Sequence, residues 1–272
     1  MTTSHGQTLK EALDLKEGHT VLVTDRIDTD GRFVLYQSAA TAAASSHVLW
    51  LGCGVFTKSL ILSSLRKMGY SSATVTSADA SLVIHSIPEM IEADITTRAA
   101  DNTASAVFDE KAFANNLLDL VERWLVSDDD GASQPRRRLC VIDDVTSLAT
   151  LLGPRTTYSF LRSIRQRAVD TKHPFTWILR CSSDAETEDT EEWMGAGGET
   201  LSRWPFLDPQ VYMERSLIEL ADCCIDITSL SSGYSREAHG RMVVTDEASS
   251  TQRRYNYVLM DQEVRVLPVQ QH

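Results

Sequence analysis

The chain has 272 residues and a formal net charge of −12, from 38 acidic and 26 basic side chains. A surface this acidic repels nucleic acid on average, so any contact with RNA must be local or shared with a more basic partner. The hydrophobic fraction of 42% and charged fraction of 24% are typical of a soluble globular protein with one large or two small domains.

Strands and helices alternate along most of the chain. Short apolar runs bounded by turn residues predict strands at 20–23, 47–51, 81–87, 139–144, 175–181 and 224–230. Apolar residues at helical spacing predict helices between them at 32–44, 57–68, 113–125, up to 152, around 158–168 and near 213–221. The tail alternates polar and apolar residues at short spacing, which predicts antiparallel strands.

This order of elements predicts an α/β fold. Its central sheet is mainly parallel with helices on both faces, and antiparallel strands lie at the C-terminal edge. No repeat or domain break is visible, so 1–272 is interpreted as a single domain. Flexible segments are predicted at about 92–107, 127–138 and 182–212, where large apolar residues are few or charged and glycine residues are frequent.

The sequence also indicates a compartment. No apolar run reaches the ~18 positions of a membrane-spanning helix, and no secretory signal is visible, so we expect no membrane contact. Five cysteines show neither a CxxC pair nor ligand-like spacing with histidine. We therefore expect buried free thiols in a reducing compartment, in the cytoplasm or the nucleus.

The stretch 20–38 has the layout of a nucleotide-binding P-loop: a buried strand, a loop, a glycine and a helix. Such a loop needs an early glycine, a lysine for the terminal phosphates and a hydroxyl for the metal ion. Here Arg26 takes the early glycine position, Arg32 follows Gly31 at the lysine position, and Phe33 takes the hydroxyl position. The frame is present, but its phosphate-binding residues are not.

Three carboxylates make this loop still less suited to a polyphosphate. Asp25, Asp28 and Asp30 lie where the negative charge of the triphosphate would sit, and they would repel it by several kcal/mol in a partly desolvated pocket. Two interpretations remain open for Gly31 and Arg32: a helix N-terminus after a turn, or a residual nucleotide contact.

A second motif is LCVIDD at 139–144, an apolar strand that ends in Asp143 and Asp144. P-loop folds present a metal-organising carboxylate in this way, at the sheet edge where ligands bind. The alternative is a structural cap, in which an aspartate accepts backbone N–H bonds at the start of the next helix. Both interpretations stay open.

Basic residues cluster in two places. Arg155, Arg162, Arg165 and Arg167 are predicted to form a basic face on one helix, which suits a subunit interface or a phosphate-contacting surface. The run 136–138, three arginines, is interpreted as part of a solvated linker, with an RNA-facing patch as the alternative.

In their order and spacing, several segments together resemble one family. They are TVLVTDRIDTDGRF, HVLWLG, LCVIDDVTSLATLLG, FTWILRC, CIDITSLSSGYSREAHGRMVV and RRYNYVLMDQEVRVL. The chain resembles the sixth subunits of the eukaryotic Elongator complex over roughly 18–267. The most specific parts are the TD-x-G opening, the Asp143–Asp144 pair and the GYSREAHG turn.

This resemblance implies a RecA-like fold without usable Walker motifs. It also implies a hetero-hexameric ring that contains two copies each of the fourth, fifth and sixth subunits. The ring binds tRNA, hydrolyses ATP and attaches to the larger Elongator subunits. The whole complex installs a carboxymethyl-type modification on the wobble uridine of tRNA.

Site residues follow from the same resemblance. The chain is expected to be non-catalytic and to bind no cofactor alone, with ATP and Mg²⁺ possible at ring interfaces, in both cytoplasm and nucleus. By analogy with RecA-like rings, the loops after Asp144 and Cys181 would face the pore. Arg155, Arg162 and Arg203 are therefore the candidate contacts to tRNA or to neighbouring subunits.

Three alternatives are open. In the first, the chain would be a RecA-like ATPase whose degenerate loop still works, with Arg32 in place of lysine and Asp143 or Asp144 organising magnesium. Arginine is a poor substitute for lysine there, because its charge is spread over a planar fork and is not compact. Alternatively, one of its arginines completes a neighbour's ATP site in trans. The third is a recombinase-like DNA accessory protein on the same fold, which the net charge disfavours.

Overall fold

The computed structural model describes residues 7–13, 15–43, 46–54, 57–70, 82–100, 108–126, 137–170, 175–183, 209–230, 233, 235, 237–261 and 263–269. Its strands are β1 (Gln7–Thr8), β2 (Thr20–Asp25), β3 (Ser46–Gly52), β4 (Leu82–Ser86), β5 (Arg137–Ile142), β6 (Phe175–Ser182), β7 (Cys223–Thr228), β8 (Gly240–Asp246), β9 (Thr251–Leu259) and β10 (Val264–Pro268). The helices are α1 (Leu9–Leu13), α2 (Arg32–Ala42), α3 (Lys58–Lys67), α4 (Ile87–Ala100), α5 (Glu110–Val126), α6 (Val145–Leu152), α7 (Pro154–Asp170) and α8 (Pro209–Leu220).

One ten-stranded sheet, in the order β1-β10-β9-β8-β7-β2-β6-β5-β3-β4, joins these strands. The six strands from β7 to β4 run parallel, and β8, β9, β10 and β1 continue the sheet with antiparallel pairing. The predicted fold class is confirmed, including the antiparallel strands at one edge. Since β6 lies between β2 and β5, the two motif-bearing strands are not neighbours.

The sheet has a hydrophobic core on each face. Consecutive side chains of a strand point to opposite faces, so Val21 and Val23 pack with α1, α2 and α3, whereas Leu22 packs with α5, α6, α7 and α8. Burial on both faces explains why the parallel strands are continuous apolar runs in the sequence. In the part of the chain that is described, no helix is long and apolar enough to cross a bilayer.

The prediction of a flexible segment at about 92–107 is wrong as far as residue 100. These residues continue α4, which begins at Ile87, a fully buried side chain. Pro88 lies in the first turn, where its missing N–H costs nothing, so it does not end the structure there. An ion pair between Arg98 and Asp94, one turn apart, supports the exposed face. Residues 101–107 lie outside the described residues.

The predicted solvated segment 127–138 is wrong at its end. Arg137 and Arg138 belong to β5, and the Arg138 guanidinium is buried, donating to the backbone oxygen of Trp124 and lying 5.7 Å from the centroid of its ring. Its charge is thus accommodated by a carbonyl and a π face.

The segment predicted as a loop at 182–212 is partly regular structure. It begins with Ser182, the last residue of β6, and ends in α8, which starts at Pro209. Residues 184–208 lie outside the described part.

The cysteines offer a test of this packing. Four of the five are buried, and Cys224 is partly exposed. Burial raises the pKa of Cys140, Cys181 and Cys224 to about 12, so few of these thiols are ionised at pH 8. We expect Ellman's reagent to modify the native protein slowly and to modify all five thiols in urea. Rapid modification of more than one native thiol would contradict this packing.

Candidate nucleotide-loop site

The loop after β2 closes on its own carboxylate. Asp25, the last residue of β2, is fully buried, and its Oδ2 accepts the Gly31 backbone N–H at 2.6 Å. Gly31 permits this approach because a Cβ there would lie 3.0 Å from Val23 Cγ1 and 3.3 Å from Asp25 Oδ2. The backbone donor that would meet a phosphate in a working P-loop is therefore bonded to a side chain of the chain itself.

The first turn of α2 is satisfied in the same way. Asp30 Oδ1 accepts the Arg32 backbone N–H at 3.0 Å and its Nε–H at 2.9 Å. Helix N-termini bind anions because their first N–H groups lack partners within the helix. In α2 two of these groups, those of Gly31 and Arg32, already have carboxylate partners. Arg32, at the lysine position, is held beside its own loop.

Phe33, at the position of the metal-binding hydroxyl, belongs to the core. Its side chain is buried, and its ring lies 4.7 Å from that of Tyr257 in β9. A hydroxyl at this position in a P-loop would face the bound metal. Phe33 instead anchors α2 to the antiparallel part of the sheet, so this position has a structural role.

Arg180 in β6 completes the site, and sequence reasoning missed it. Its Nε–H donates to Asp25 Oδ2 at 2.7 Å, with the two side chains 8% and 0% exposed. Nη1 donates to the Asp143 backbone oxygen at 3.3 Å and lies 3.8 Å from Asp144 Oδ2. Burial raises the pKa of the Asp25 carboxyl, and the Arg180 guanidinium opposes that rise. A charged residue within the apolar run FTWILRC was the available signal, because a buried cation needs a partner.

Asp143 links the ends of two strands. Its side chain is buried; Oδ1 accepts the Cys53 backbone N–H at 2.7 Å, and Oδ2 accepts the Trp50 Nε1–H at 3.2 Å. Burial raises the pKa of this carboxyl, and the two hydrogen bonds oppose the rise. Both oxygens are therefore used within the fold, between the end of β3 and the end of β5.

Asp144 is the N-cap of α6. Its Oδ1 accepts the Ser147 backbone N–H at 3.0 Å and its Oδ2 accepts the Ser147 hydroxyl at 2.8 Å, the pattern of a structural cap. Over the described ranges, no group of three His, Cys, Asp or Glu residues is arranged to hold a metal ion.

The structure separates the four arginines of α7. Arg165 turns toward the end of α8, where it donates to the Leu220 backbone oxygen and pairs with Asp222 at 3.2 Å. Arg167 pairs with Glu122 of α5 at 2.7 Å. Arg155 and Arg162 are exposed and form no ion pair with another described residue. The predicted basic face therefore consists of these two residues; Arg203 lies outside the described residues.

No protein-family model matches the chain, and no curated protein matches it in sequence. Among solved structures, a KaiC-like protein of the hyperthermophilic archaeon Pyrococcus horikoshii is similar with a TM-score of 0.59 at 14% identity, covering 95% of this chain and 94% of that one. An uncharacterized protein of the same organism, in complex with an unknown peptide, is similar with a TM-score of 0.58 at 10% identity over 94% of each chain.

Identities this low show the fold alone. Together with the sheet order, these similarities show that the chain has a RecA-like α/β fold.

Proposed function

We propose that this protein is a non-catalytic RecA-like subunit of a hetero-hexameric ring in the Elongator complex. Its neighbours are the fourth and fifth subunits, two copies of each, and the ring supports tRNA binding and carboxymethyl-type modification of the wobble uridine. The proposal that the subunit is non-catalytic rests on one observation: the Gly31 N–H donates to the Asp25 carboxylate of the same loop. The ring and its substrate rest on the sequence resemblance.

The electrostatics of the loop explain why the chain alone would not bind ATP. A triphosphate would have to displace Asp25 from both Gly31 and Arg180, which leaves a buried carboxylate beside a polyanion. Unpairing a buried charge costs about 3–5 kcal/mol, more than a lone helix N-terminus returns. ATP and Mg²⁺ would therefore bind at ring interfaces formed with other subunits.

The acidic balance of the chain fits a subunit that depends on partners for RNA contact. With a net charge of −12, it would gain from a more basic neighbour near tRNA. Assembly with the larger Elongator subunits, in cytoplasm and nucleus, belongs to the same proposal.

Native mass spectrometry tests the ring. The chain is co-expressed with the fourth and fifth Elongator subunits, and we expect a hexamer with two copies of each. Titration calorimetry of the chain alone with Mg-ATP is expected to show no saturable binding. A free monomer would contradict ring membership. Saturable, magnesium-dependent binding lost in Asp143→Ala would instead favour the RecA-like ATPase.

Two arginines test the tRNA contact. In the assembled ring, Arg162→Ala combined with Arg203→Ala is expected to weaken tRNA binding because each removes a cation near the phosphates. The slope of log affinity against log salt should fall by about 2. Arg66→Ala with Lys67→Ala, exposed cations on α3, serves as the control. An unchanged slope in the first variant would remove these residues from the tRNA surface.

A further inference from the structure

A groove runs between α5 and α7. Its volume is about 400 Å³ and its lining includes Ala114, Leu118 and Phe160. These three apolar side chains are buried or partly buried, and the polar residues Asn115 and Ser159 beside them are exposed. The groove therefore has an apolar floor at the surface of the helical layer, large enough for one aliphatic side chain.

Two cations line the same groove. Lys111 and Arg155 are exposed, and neither forms an ion pair with a described residue. Two other arginines of α7 do have partners: Arg165 pairs with Asp222 at 3.2 Å, and Arg167 pairs with Glu122 of α5 at 2.7 Å. In a chain with twelve excess negative charges, two cations left unpaired beside an apolar floor favour a ligand with one carboxylate and one apolar group.

The loop after β2 presents such a pair of groups. Ile27 is 92% exposed, at the tip of a turn that Thr29 fixes: Thr29 Oγ1 accepts the Arg26 N–H at 2.9 Å, and its N–H donates to the Arg26 oxygen at 2.9 Å. Thr29 Oγ1 also donates to the Ile227 oxygen of β7 at 3.1 Å. Because these bonds fix the turn, docking through Ile27 would lose little conformational entropy in the loop.

The charge beside Ile27 is negative. Asp28 is exposed and has no hydrogen-bond or ion-pair partner among the described residues. Arg26, on the other side of the tip, lies close enough to Glu214 to oppose the rise in the pKa of that carboxyl that burial causes. The tip therefore offers one apolar group and one carboxylate, the complement of the groove.

We propose that the tip of the β2–α2 loop of one copy docks in the α5–α7 groove of a second copy. Ile27 would contact the apolar floor, and Asp28 would lie between Lys111 and Arg155. Because the two surfaces are different patches of one chain, the contact is heterologous and propagates from copy to copy toward a ring or a filament. A nucleic acid would satisfy the two cations but not the apolar tip and floor. This inference concerns the chain alone and does not depend on the Elongator ring.

Sedimentation velocity of the purified chain over a range of concentrations tests the proposal. A contact this small is expected to be weak, so species larger than a monomer should grow in as the concentration approaches the millimolar range. Ile27→Asp, and separately Lys111→Glu with Arg155→Glu, should each weaken self-association about 30-fold or more, as the loss of a central contact does. Since these residues are exposed, circular dichroism should show unchanged folding.

Matched controls come from α3. Leu60→Asp replaces another exposed aliphatic residue, and Lys58→Glu with Arg66→Glu reverses two exposed cations; both should associate like the wild type. A mixture of the Ile27→Asp variant with the Lys111→Glu/Arg155→Glu variant should form a dimer that grows no further, because only one loop and one groove remain intact.

Four results would overturn the proposal: a wild type that stays monomeric, test variants that associate as the controls do, a mixture that stays monomeric, or a groove variant that loses tRNA binding while self-association is unchanged. The last result would assign the groove to RNA. Native mass spectrometry with the fourth and fifth Elongator subunits gives a separate result for the ring, so failure of one proposal does not imply failure of the other.

Discussion

Replacement of Arg180 with methionine is expected to lower the free energy of unfolding by about 3–5 kcal/mol, because it leaves a buried carboxylate unpaired. Arg180 and Asp25 are 8% and 0% exposed and 2.7 Å apart. Methionine fills a similar volume without a charge. The substitution therefore removes the partner of Asp25 while it leaves the hydrogen bond from Gly31 in place.

Urea unfolding followed by tryptophan fluorescence measures this effect. The matched control is Arg265→Met, which breaks a pair with Glu263 whose side chains are 55% and 43% exposed; we expect a cost of less than about 1 kcal/mol there. Asp25→Asn combined with Arg180→Met should recover much of the loss, since no buried charge then remains. Equal costs for the Arg180 and Arg265 variants would show that the pair does not support the loop.

The ion pair of Asp25 and Arg180 marks the limit of what the sequence predicts about the nucleotide loop. Arg26, Arg32 and Phe33 at the motif positions already indicated a loop without its phosphate chemistry. The sequence could not reveal that Asp25 binds Arg180, because the two residues are 155 positions apart and meet only when β6 is placed beside β2. Parallel pairing of this kind is a tertiary event that local patterns do not encode.

Strands and amphipathic helices could be predicted where burial is strong. The runs that became β2, β3 and β6 are apolar throughout because helices cover both faces of the sheet. The role of Asp143, the first of the two aspartates after β5, could not be predicted, because it depends on partners that the local sequence does not show. A metal-organising carboxylate and a carboxylate that binds two internal donors have the same place in the sequence, and only the side-chain partners distinguish them.

Weakly patterned segments were predicted less well. α4 has only a narrow apolar stripe around Ile87, and its remaining residues resemble a polar loop in composition. The run of three arginines at 136–138 predicts a solvated segment, but Arg138 lies in β5 and is buried against Trp124. In both cases tertiary packing decided the structure against the local composition.

Replacement of Asp143 with alanine is expected to cost about 2–4 kcal/mol of stability, because it leaves two buried donors without an acceptor. The Trp50 indole N–H and the Cys53 backbone N–H both lose their partner at the junction of β3 and β5. Asp144→Ala removes only the cap of α6 and should cost about 0.5–2 kcal/mol. The larger effect should therefore fall on the first aspartate of the pair.

Thermal unfolding with and without magnesium distinguishes a structural role of Asp143 from a metal-organising one. If the carboxylate is structural, added Mg²⁺ leaves the melting temperatures of the wild type and of both variants unchanged. If Asp143 organises a metal ion, Mg²⁺ stabilises the wild type by mass action and Asp143→Ala loses that stabilisation. Both oxygens of Asp143 already accept hydrogen bonds inside the fold, and an ion would have to compete with them. We therefore expect the magnesium-independent result, in which the aspartate that resembles a Walker carboxylate joins two strands of the sheet.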